Sequence, residues 1–401
     1  MNPIAIYTIT SQLHDAEAIN AVAKEFLEKL DVDYTFRGDD FSDYGKHVLD
    51  LIFVRTGGTE GIFREMLPIL LEKSSRPFYL LTSGKSNSLA ASMEILSFLQ
   101  QNLLQGEIIH GSADYVRQRV LALSKTEAVK ARLSKSRIGV IGKPSDWLIA
   151  SGVDYGMVRQ KIGVTMVDIP MSELLAVIEH TPLRAKEEET GKPLIDAALP
   201  GAHRIYDALK TIVGRYHLDG LTIRCFDLLN TIHNTGCLAL AKLNAEGIVA
   251  GCEGDIPTTI SMMLAMATVG ETGFQANPAQ IDVETGIVLF AHCTIPFNMV
   301  ERFEYDTHFE SGIGVGIRGM VKEGPVTIIK VSGDGSRHFI AEGTLLQCQS
   351  HPDLCRTQLQ VRLDDPSAAE YFLTRPIGNH HVILRGHHQT ELLRVLSSLS
   401  H

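Results

Sequence analysis

Several features common in other protein classes are missing from this sequence. No apolar run approaches the roughly 18 residues that a membrane-spanning helix needs, and no run of lysine or arginine stands out. A nucleic-acid partner would require a basic stripe, whereas the formal net charge here is −10. The N-terminal segment MNPIAIYTIT has no basic region before its apolar residues, unlike a signal peptide. We therefore expect a cytoplasmic protein that acts on neither nucleic acid nor membranes.

Paired cysteine motifs are also missing. The chain has 6 cysteines and no CxxC pair; they are Cys225, Cys237, Cys252, Cys293, Cys348 and Cys355. In a chain of this length the scattered spacing predicts reduced, largely buried thiols and no disulfide framework. It also lacks the spacing of a structural zinc site.

No complete nucleotide-binding motif is present. The segment TSGKS at 82–86 ends like a Walker A loop, but Tyr79 occupies the position of the required earlier glycine. Gly139 and Gly142 do not form a GxGxxG motif, and Pro144 removes an amide from any phosphate-binding turn. We interpret these segments as structural turns.

The patterns that are present predict three domains. With 401 residues, the chain exceeds what one hydrophobic core usually serves. Strand and helix signals alternate in the first third, which predicts a parallel, doubly wound sheet. After the polar segment Ser134-Lys135-Ser136, the run RIGVIGKP restarts this pattern. We place two Rossmann-like α/β domains at 1–134 and 135–272.

The last third has a different character. From about residue 273, β-branched residues, glycines and short alternating runs dominate, and the only strong helix signal is Gln389–Leu399. This predicts a β-rich, barrel-like or sandwich-like domain at 273–401.

In the middle domain we predict a helix over Ala202–His217, a strand over Gly220–Phe226, and an exposed helix or loop over Arg184–Lys192.

The stretch from Gly247 to Pro296 contains the first candidate site residue. Glu253 follows the apolar run 248–250, at the position where open α/β sheets place their ligands. Such a carboxylate is either a capping or salt-bridging group, or a metal ligand and acid/base group; the sequence leaves both open. Asp255, before Ile256-Pro257, is interpreted as a helix N-cap.

Three histidines are further candidates. His292 ends an apolar run and is either a core histidine or a ligand. His380 and His381 are adjacent, so on a strand they face opposite sides and at most one points into a given site. A glutamate with one or two histidines suits Mn²⁺ or a similar divalent cation. With a sugar bound, a metal and a carboxylate could together perform aldose–ketose isomerisation through an enediol.

Four sequence blocks resemble the L-fucose isomerase / L-arabinose isomerase superfamily. They are RIGVIGKPSDW, GIVAGCEGDIPTTISMML, GFQANPAQIDVETGIVLFAHCTIP and GNHHVILRGHH, and their order covers nearly the whole chain. The resemblance implies two Rossmann-like domains followed by a barrel-like domain, a Mn²⁺ site at a domain junction, a small sugar as substrate, and homo-oligomers such as hexamers or trimers.

The resemblance also implies roles for individual residues. Glu253 matches the first metal carboxylate of the family, which also transfers protons. His380 matches the C-terminal histidine ligand, with His381 as the alternative if the register shifts by one. His292 resembles a histidine ligand of the arabinose branch.

The chain departs from the family at the second carboxylate. Where the fucose type has roughly Phe-Ala-Asp, this sequence has Gln275-Ala276-Asn277. Asn277 can offer an amide oxygen to a metal or position a substrate, but it cannot accept a proton as a carboxylate does. Asp282 could replace the missing carboxylate only with a different loop arrangement. The alternative function is therefore a non-catalytic sugar-binding or regulatory protein of the same fold.

Overall fold

The computed structural model describes residues 3–12, 16–184 and 189–399. The chain divides into two compact units, Met1–Ala131 and Arg132–His401. The three-domain limits at 134 and 272 stay a prediction, and residues 185–188 of the charged segment lie outside the described residues.

The first unit is a five-stranded parallel sheet flanked by helices. Its strand order is β2-β1-β3-β4-β5, so the direction of winding reverses between β1 and β3. The elements are β1 Ile4–Ile9, α1 Ala16–Leu30, β2 Thr35–Gly38, β3 Leu49–Val54, α2 Glu60–Lys73, β4 Phe78–Thr82, α3 Ser88–Gln101, β5 Gly106–Ile109 and α4 Ala113–Leu133.

Both faces of this sheet are buried, which explains its continuous apolar strands. In β3, Leu51 and Phe53 belong to one hydrophobic cluster, whereas Ile52 and Val54 belong to another. Successive side chains on a strand point to opposite faces, so a strand covered on both sides is apolar at most positions. The exception in β3 is Asp50, whose buried carboxylate accepts from the amide of Gly45 at 3.0 Å.

The second unit begins with a four-stranded parallel sheet of order β7-β6-β8-β9. Here too the winding reverses, between β6 and β8. The elements are β6 Arg137–Ile141, α5 Tyr155–Lys161, β7 Thr165–Ile169, α6 Met171–His180, α7 Pro193–Tyr216, β8 Gly220–Ile223, α8 Phe226–Ile232, α9 Cys237–Ala245, β9 Val249–Gly251 and α10 Ile256–Val269.

Two predicted boundaries in this sheet domain were wrong. Helix α7 begins at Pro193, nine residues before the predicted Ala202, with proline in its first turn, where no intrahelical amide bond is lost. Strand β8 ends at Ile223, three residues before the predicted end, and Phe226 begins α8. The apolar residues of β8 and α8 are separated by only two residues, so the sequence pattern predicted a single strand where the structure has a strand and the start of a helix.

The rest of the second unit contains a closed six-stranded antiparallel barrel of order β10-β11-β16-β15-β14-β17, closed by pairing of β10 with β17. A separate hairpin pairs β12 with β13. The elements are β10 Phe274–Asp282, β11 Ile287–His292, β12 Arg302–Asp306, β13 Gly316–Met320, β14 Gly324–Val331, β15 His338–Cys348, β16 Thr357–Leu363, α11 Glu370–Thr374, β17 His381–Arg385 and α12 Gln389–Leu399.

The predicted fold class is confirmed. Two parallel α/β sheets precede a β-barrel, and the closing helix has the predicted limits of Gln389 and Leu399. Among the described residues, none of the helices has both the length and the apolar character needed to cross a membrane.

Candidate metal centre

The candidate centre lies where three strands of the second sheet end. The backbone amide of Ser145, after β6, donates to the carbonyl of Glu253, after β9, at 2.9 Å. The guanidinium of Arg224, after β8, donates to the carbonyl of Pro144 at 3.0 Å. β6 and β8 flank the reversal of winding, which is the place where open α/β sheets bind their ligands.

Glu253 has an unusual backbone conformation. Its φ is +62°, in the left-handed region that non-glycine residues rarely adopt, and Gly254 follows with a φ of +70°. At Gly254 a Cβ atom would lie 2.4 Å from the carbonyl oxygen of Lys143. The close approach of these two loops therefore requires glycine and turns the chain sharply beside Glu253.

A buried glutamine joins the barrel to this loop. Gln275 of β10 accepts a hydrogen bond from the amide of Cys252 at 2.8 Å and donates to the carbonyl of Cys252 at 3.3 Å. Both bonds go to the residue that precedes Glu253, so the barrel strand sets the position of the carboxylate.

Glu253 meets two histidines that the barrel supplies. Oε1 of Glu253 lies 3.5 Å from Nε2 of His380 and 3.9 Å from Nε2 of His292. His292 ends β11, and His380 immediately precedes β17. One ligand atom of each residue falls within 4.8 Å of the others.

The donor set fits a divalent cation. Nε2 of His380 is buried and has no hydrogen-bond partner among the described residues, although buried polar atoms are nearly always paired. Two imidazole nitrogens and a carboxylate oxygen converge on one point, a set that suits Mn²⁺, Fe²⁺, Co²⁺ or Zn²⁺. Glu253, His292 and His380 would hold such an ion.

A buried network holds His380 from behind. Nδ1 of His380 lies 2.9 Å from Oδ2 of Asp255, which points Nε2 toward Glu253. Asp255 also caps α10 by accepting from the amide of Thr258 at 3.0 Å, as predicted. Nζ of the buried Lys330 lies 3.4 Å from Oδ2 of Asp255 and donates to the hydroxyl of Thr258. A carboxylate behind a ligating histidine fixes its tautomer and raises its basicity.

The charges of this cluster control its protonation. Burial opposes ionisation of Glu253, but the neighbouring imidazoles of His292 and His380 outweigh it, so the pKa of Glu253 lies well below its usual range. Burial also opposes protonation of His380, yet Asp255 and Glu253 raise its pKa to about 9. Without a metal, the centre therefore pairs a glutamate anion with an imidazolium cation near neutral pH.

Two further contacts orient the other donors. The indole N–H of Trp147 donates to Oε2 of Glu253 at 2.7 Å, which leaves Oε1 facing the histidines. Nδ1 of His292 lies 3.0 Å from the hydroxyl of Thr294, so its Nε2 also faces the centre. Burial lowers the pKa of His292 and favours its neutral form.

The structure distinguishes the two neighbouring histidines near the C-terminus. His380 belongs to the cluster, whereas Nε2 of His381 lies 3.1 Å from the hydroxyl of Tyr371 and its ring packs among Phe339 and Phe372. Burial in this aromatic core lowers the pKa of His381 to about 3. The two rings therefore face opposite sides, as strand geometry requires.

The two candidates for the second carboxylate position lie at different ends of β10. The amide oxygen of Asn277 accepts a hydrogen bond from Asn379 at 3.1 Å. Because Ala276 pairs with His381, extending the register by one residue places Asn277 opposite His380. Asp282 pairs with Ile287 at the far end of the hairpin and accepts from two turn amides, so it does not substitute for a site carboxylate.

Sequence reasoning missed several residues around the centre. Trp147, Gln275, Thr294 and Lys330 each contact a candidate ligand or its immediate support. The only available signal was a lysine inside the apolar run VTIIKV of β14, since a buried lysine needs an acidic partner. The nearby thiols of Cys225 and Cys252 lie 3.2 Å apart and are both free.

Comparison with known proteins identifies sugar-converting relatives. No protein-family model matches the chain. The sulfoquinovose isomerase of Alkalicoccus urumqiensis is 23% identical over 278 residues, which cover 65% of this chain and 63% of that protein. The sulfoquinovose isomerase of Priestia aryabhattai is 24% identical over 285 residues, which cover 66% and 63%. The chain thus spans less than two thirds of the length of these relatives.

Proposed function

The chain is a relative of the sulfoquinovose isomerases and, with them, of the L-fucose isomerase-like superfamily, and from this we propose that it is a metal-dependent aldose–ketose isomerase. One observation carries the proposal: Glu253, His292 and His380 converge at the edge of an α/β sheet, and within the described part of the chain the buried Nε2 of His380 has no hydrogen-bond partner. The relatives act on a sulfonated sugar, as their name states, and we propose a small sugar as the substrate here.

A Mn²⁺-type ion held by these three residues would polarise the carbonyl and hydroxyl oxygens of the sugar. Glu253 would be ionised near neutral pH, and its carboxylate is the group at the centre that could take a proton from one carbon and return it to the neighbouring carbon. Trp147 holds Oε2 of Glu253 in place during this transfer. Asn277 can position a hydroxyl group but cannot carry a proton.

The departure at Asn277 supports a second candidate function. If no other group replaces the missing carboxylate, the chain would bind a sugar and a metal without isomerising the sugar. Such a protein would act as a sugar-binding or regulatory relative of the enzymes. The two functions differ in a single observable, the appearance of ketose from aldose.

The decisive experiment measures Mn²⁺ binding and sugar conversion on the same preparations. Isothermal titration with Mn²⁺ compares wild type with Glu253→Gln and His380→Ala, and NMR follows sulfoquinovose, L-fucose and L-arabinose. Both variants should lose metal binding and activity, whereas Glu284→Gln, which alters an exposed carboxylate in the β10–β11 turn, should match wild type. A wild-type protein without Mn²⁺ affinity would overturn the metal centre, and metal binding without conversion would favour the second function.

We also propose that the protein assembles as a homo-oligomer, a hexamer or a trimer. The support is the resemblance to the superfamily. Light scattering after size-exclusion chromatography measures the mass directly, and a monomeric mass would overturn this part of the proposal.

A further inference from the structure

An exposed tryptophan lies at the mouth of the candidate centre. Trp147 is the only tryptophan in the chain and is 52% exposed. Its indole N–H is bound to Glu253, so the plane of the ring extends from the carboxylate toward solvent. A large aromatic surface is thereby held in one orientation beside the proposed reacting group.

Two more rings adjoin Trp147 and are less exposed: Phe226 is half-buried and His308 is 9% exposed. Phe226, at the start of α8, meets Trp147 edge to face with ring centroids 4.7 Å apart. His308, in the segment between β12 and β13, meets Phe226 at 5.6 Å. Nδ1 of His308 lies 3.0 Å from the hydroxyl of Ser311, and its carbonyl accepts from the amide of Gly312 at 2.9 Å. The three rings thus come from three separate segments of the chain: the loop after β6, the start of α8 and the segment between β12 and β13.

We propose that Trp147 and the Phe226 ring packed against it form an aromatic wall that binds the C–H face of the sugar substrate, with the buried His308 supporting Phe226. This subsite rests on the proposed function. A sugar has hydroxyl groups around its rim and C–H groups on its face, and such a face packs on aromatic rings by burying apolar area. A sugar that lies against Trp147 has one end directed at Glu253, because the N–H of the same ring contacts that carboxylate. The wall orients the reacting carbons, which lowers the entropic cost of proton transfer.

A second copy of the chain is the competing occupant of this surface. Exposed aromatic residues are also enriched at protein–protein interfaces. In that case, substitutions in the wall would change the oligomeric mass and leave sugar affinity unchanged. Light scattering on the same variants therefore accompanies the affinity measurements, and a changed mass with unchanged sugar affinity overturns the wall.

Trp147 provides the readout without a label. Its fluorescence should change when Mn²⁺ is added, since Glu253 is its hydrogen-bond partner, and change again when sulfoquinovose or L-fucose is added. Variants at Trp147 lack this fluorescence signal, so calorimetry measures their affinity for the same ligands. The decisive variant is Phe226→Leu, which removes a ring from the wall without touching Glu253. Phe303→Leu is the matched control, because Phe303 is an exposed ring on β12.

We expect Phe226→Leu and Trp147→Phe to weaken sugar binding by about ten-fold. Metal affinity in Phe226→Leu should stay within about three-fold of wild type. Unchanged sugar affinity in Phe226→Leu overturns the wall, and so does a wild-type protein that binds no sugar of the panel. If sugar binding weakens as expected but no ketose is formed, the proposed aromatic subsite is supported and the isomerase function is rejected.

Discussion

At the scale of single residues, the centre is a chain of buried groups that alternate in charge. Lys330, Asp255, His380 and Glu253 follow one another from the core to the edge of the sheet. A buried charge is costly unless it is paired, and here each charged group is stabilised by the group of opposite charge next to it. The last member, Glu253, has 13% of its side chain exposed.

Metal affinity should rise with pH. The pKa of His380 is raised to about 9 in the metal-free protein, and a metal requires the neutral imidazole. Binding must therefore displace a proton, and affinity should increase by about ten-fold per pH unit below that value and level off above it. Mn²⁺ titrations between about pH 6.5 and 8.5 check the slope. Affinity that does not change over this interval would contradict a protonated His380.

Asp255, which lies behind His380, contributes both to metal affinity and to the stability of the fold, and variants can separate the two contributions. Asp255→Asn keeps a good helix cap but leaves Lys330 as an unpaired buried charge, so we expect a loss of about 3–5 kcal/mol in the free energy of unfolding. Metal affinity should fall by about 10–100-fold, since the carboxylate behind the histidine is gone.

The double variant Asp255→Asn/Lys330→Met provides the control. Removing the unpaired charge should restore most of the stability but none of the metal affinity. Urea unfolding and Mn²⁺ titration measure the two quantities on the same samples. Recovery of both together would show that Asp255 acts only through stability.

At the scale of elements, the junction between β9 and α10 carries the carboxylate. Gly251 lies so close to α10 that a Cβ atom would come 2.1 Å from the hydroxyl oxygen of Thr259. Glu253 and Gly254 then turn through the left-handed region before Asp255 starts the helix. A short strand, a sharp turn and a capped helix therefore fix where Glu253 points.

Replacing Gly254 should damage both stability and metal binding. In Gly254→Ala, the left-handed φ and the contact with the carbonyl of Lys143 should cost about 2–4 kcal/mol of unfolding free energy. Movement of the turn should also weaken Mn²⁺ binding through Glu253. Gly214→Ala is the matched control, because this position in α7 has open space around it; it should stabilise by about 0.5–1 kcal/mol. Equal effects of the two variants on metal affinity would contradict this account of the turn.

At the scale of the whole molecule, the chain has two compact units, and all three candidate ligands belong to the second. Each unit has hydrophobic clusters of its own. A ligand stabilises the structure that binds it, so its effect should be confined to the unit that contains the centre.

Hydrogen exchange with and without Mn²⁺ tests this division. Amides in β9, α10 and the start of β17 should exchange more slowly when the metal is present, because local opening then costs the binding energy as well. Amides in β1 and β3 of the first unit should be unaffected. Protection that spreads equally through both units would contradict their independence, and His380→Ala should abolish the effect in each case.

Much of the architecture could be predicted because its signals are local. The buried strands of the parallel sheets read as largely apolar runs, as in β3, and the closing helix α12 had the predicted limits. The prediction failed where the signal depended on neighbours. Pro193 starts α7 nine residues early, and the hairpin β12–β13 was not predicted because its strands carry few apolar residues.

For the candidate site, the sequence by itself determined the residue types and the helix cap at Asp255. Glu253, His292 and His380 were recognisable because each ends or precedes an apolar strand. Only the tertiary structure decided that the three meet, that His381 enters the barrel core, and that Trp147 and Lys330 support the cluster. The physical reason is that a hydrophobic pattern depends on residues that are neighbours in the sequence. These contacts instead join residues up to 127 positions apart, as between Glu253 and His380. They exist only once the sheet and the barrel have packed together.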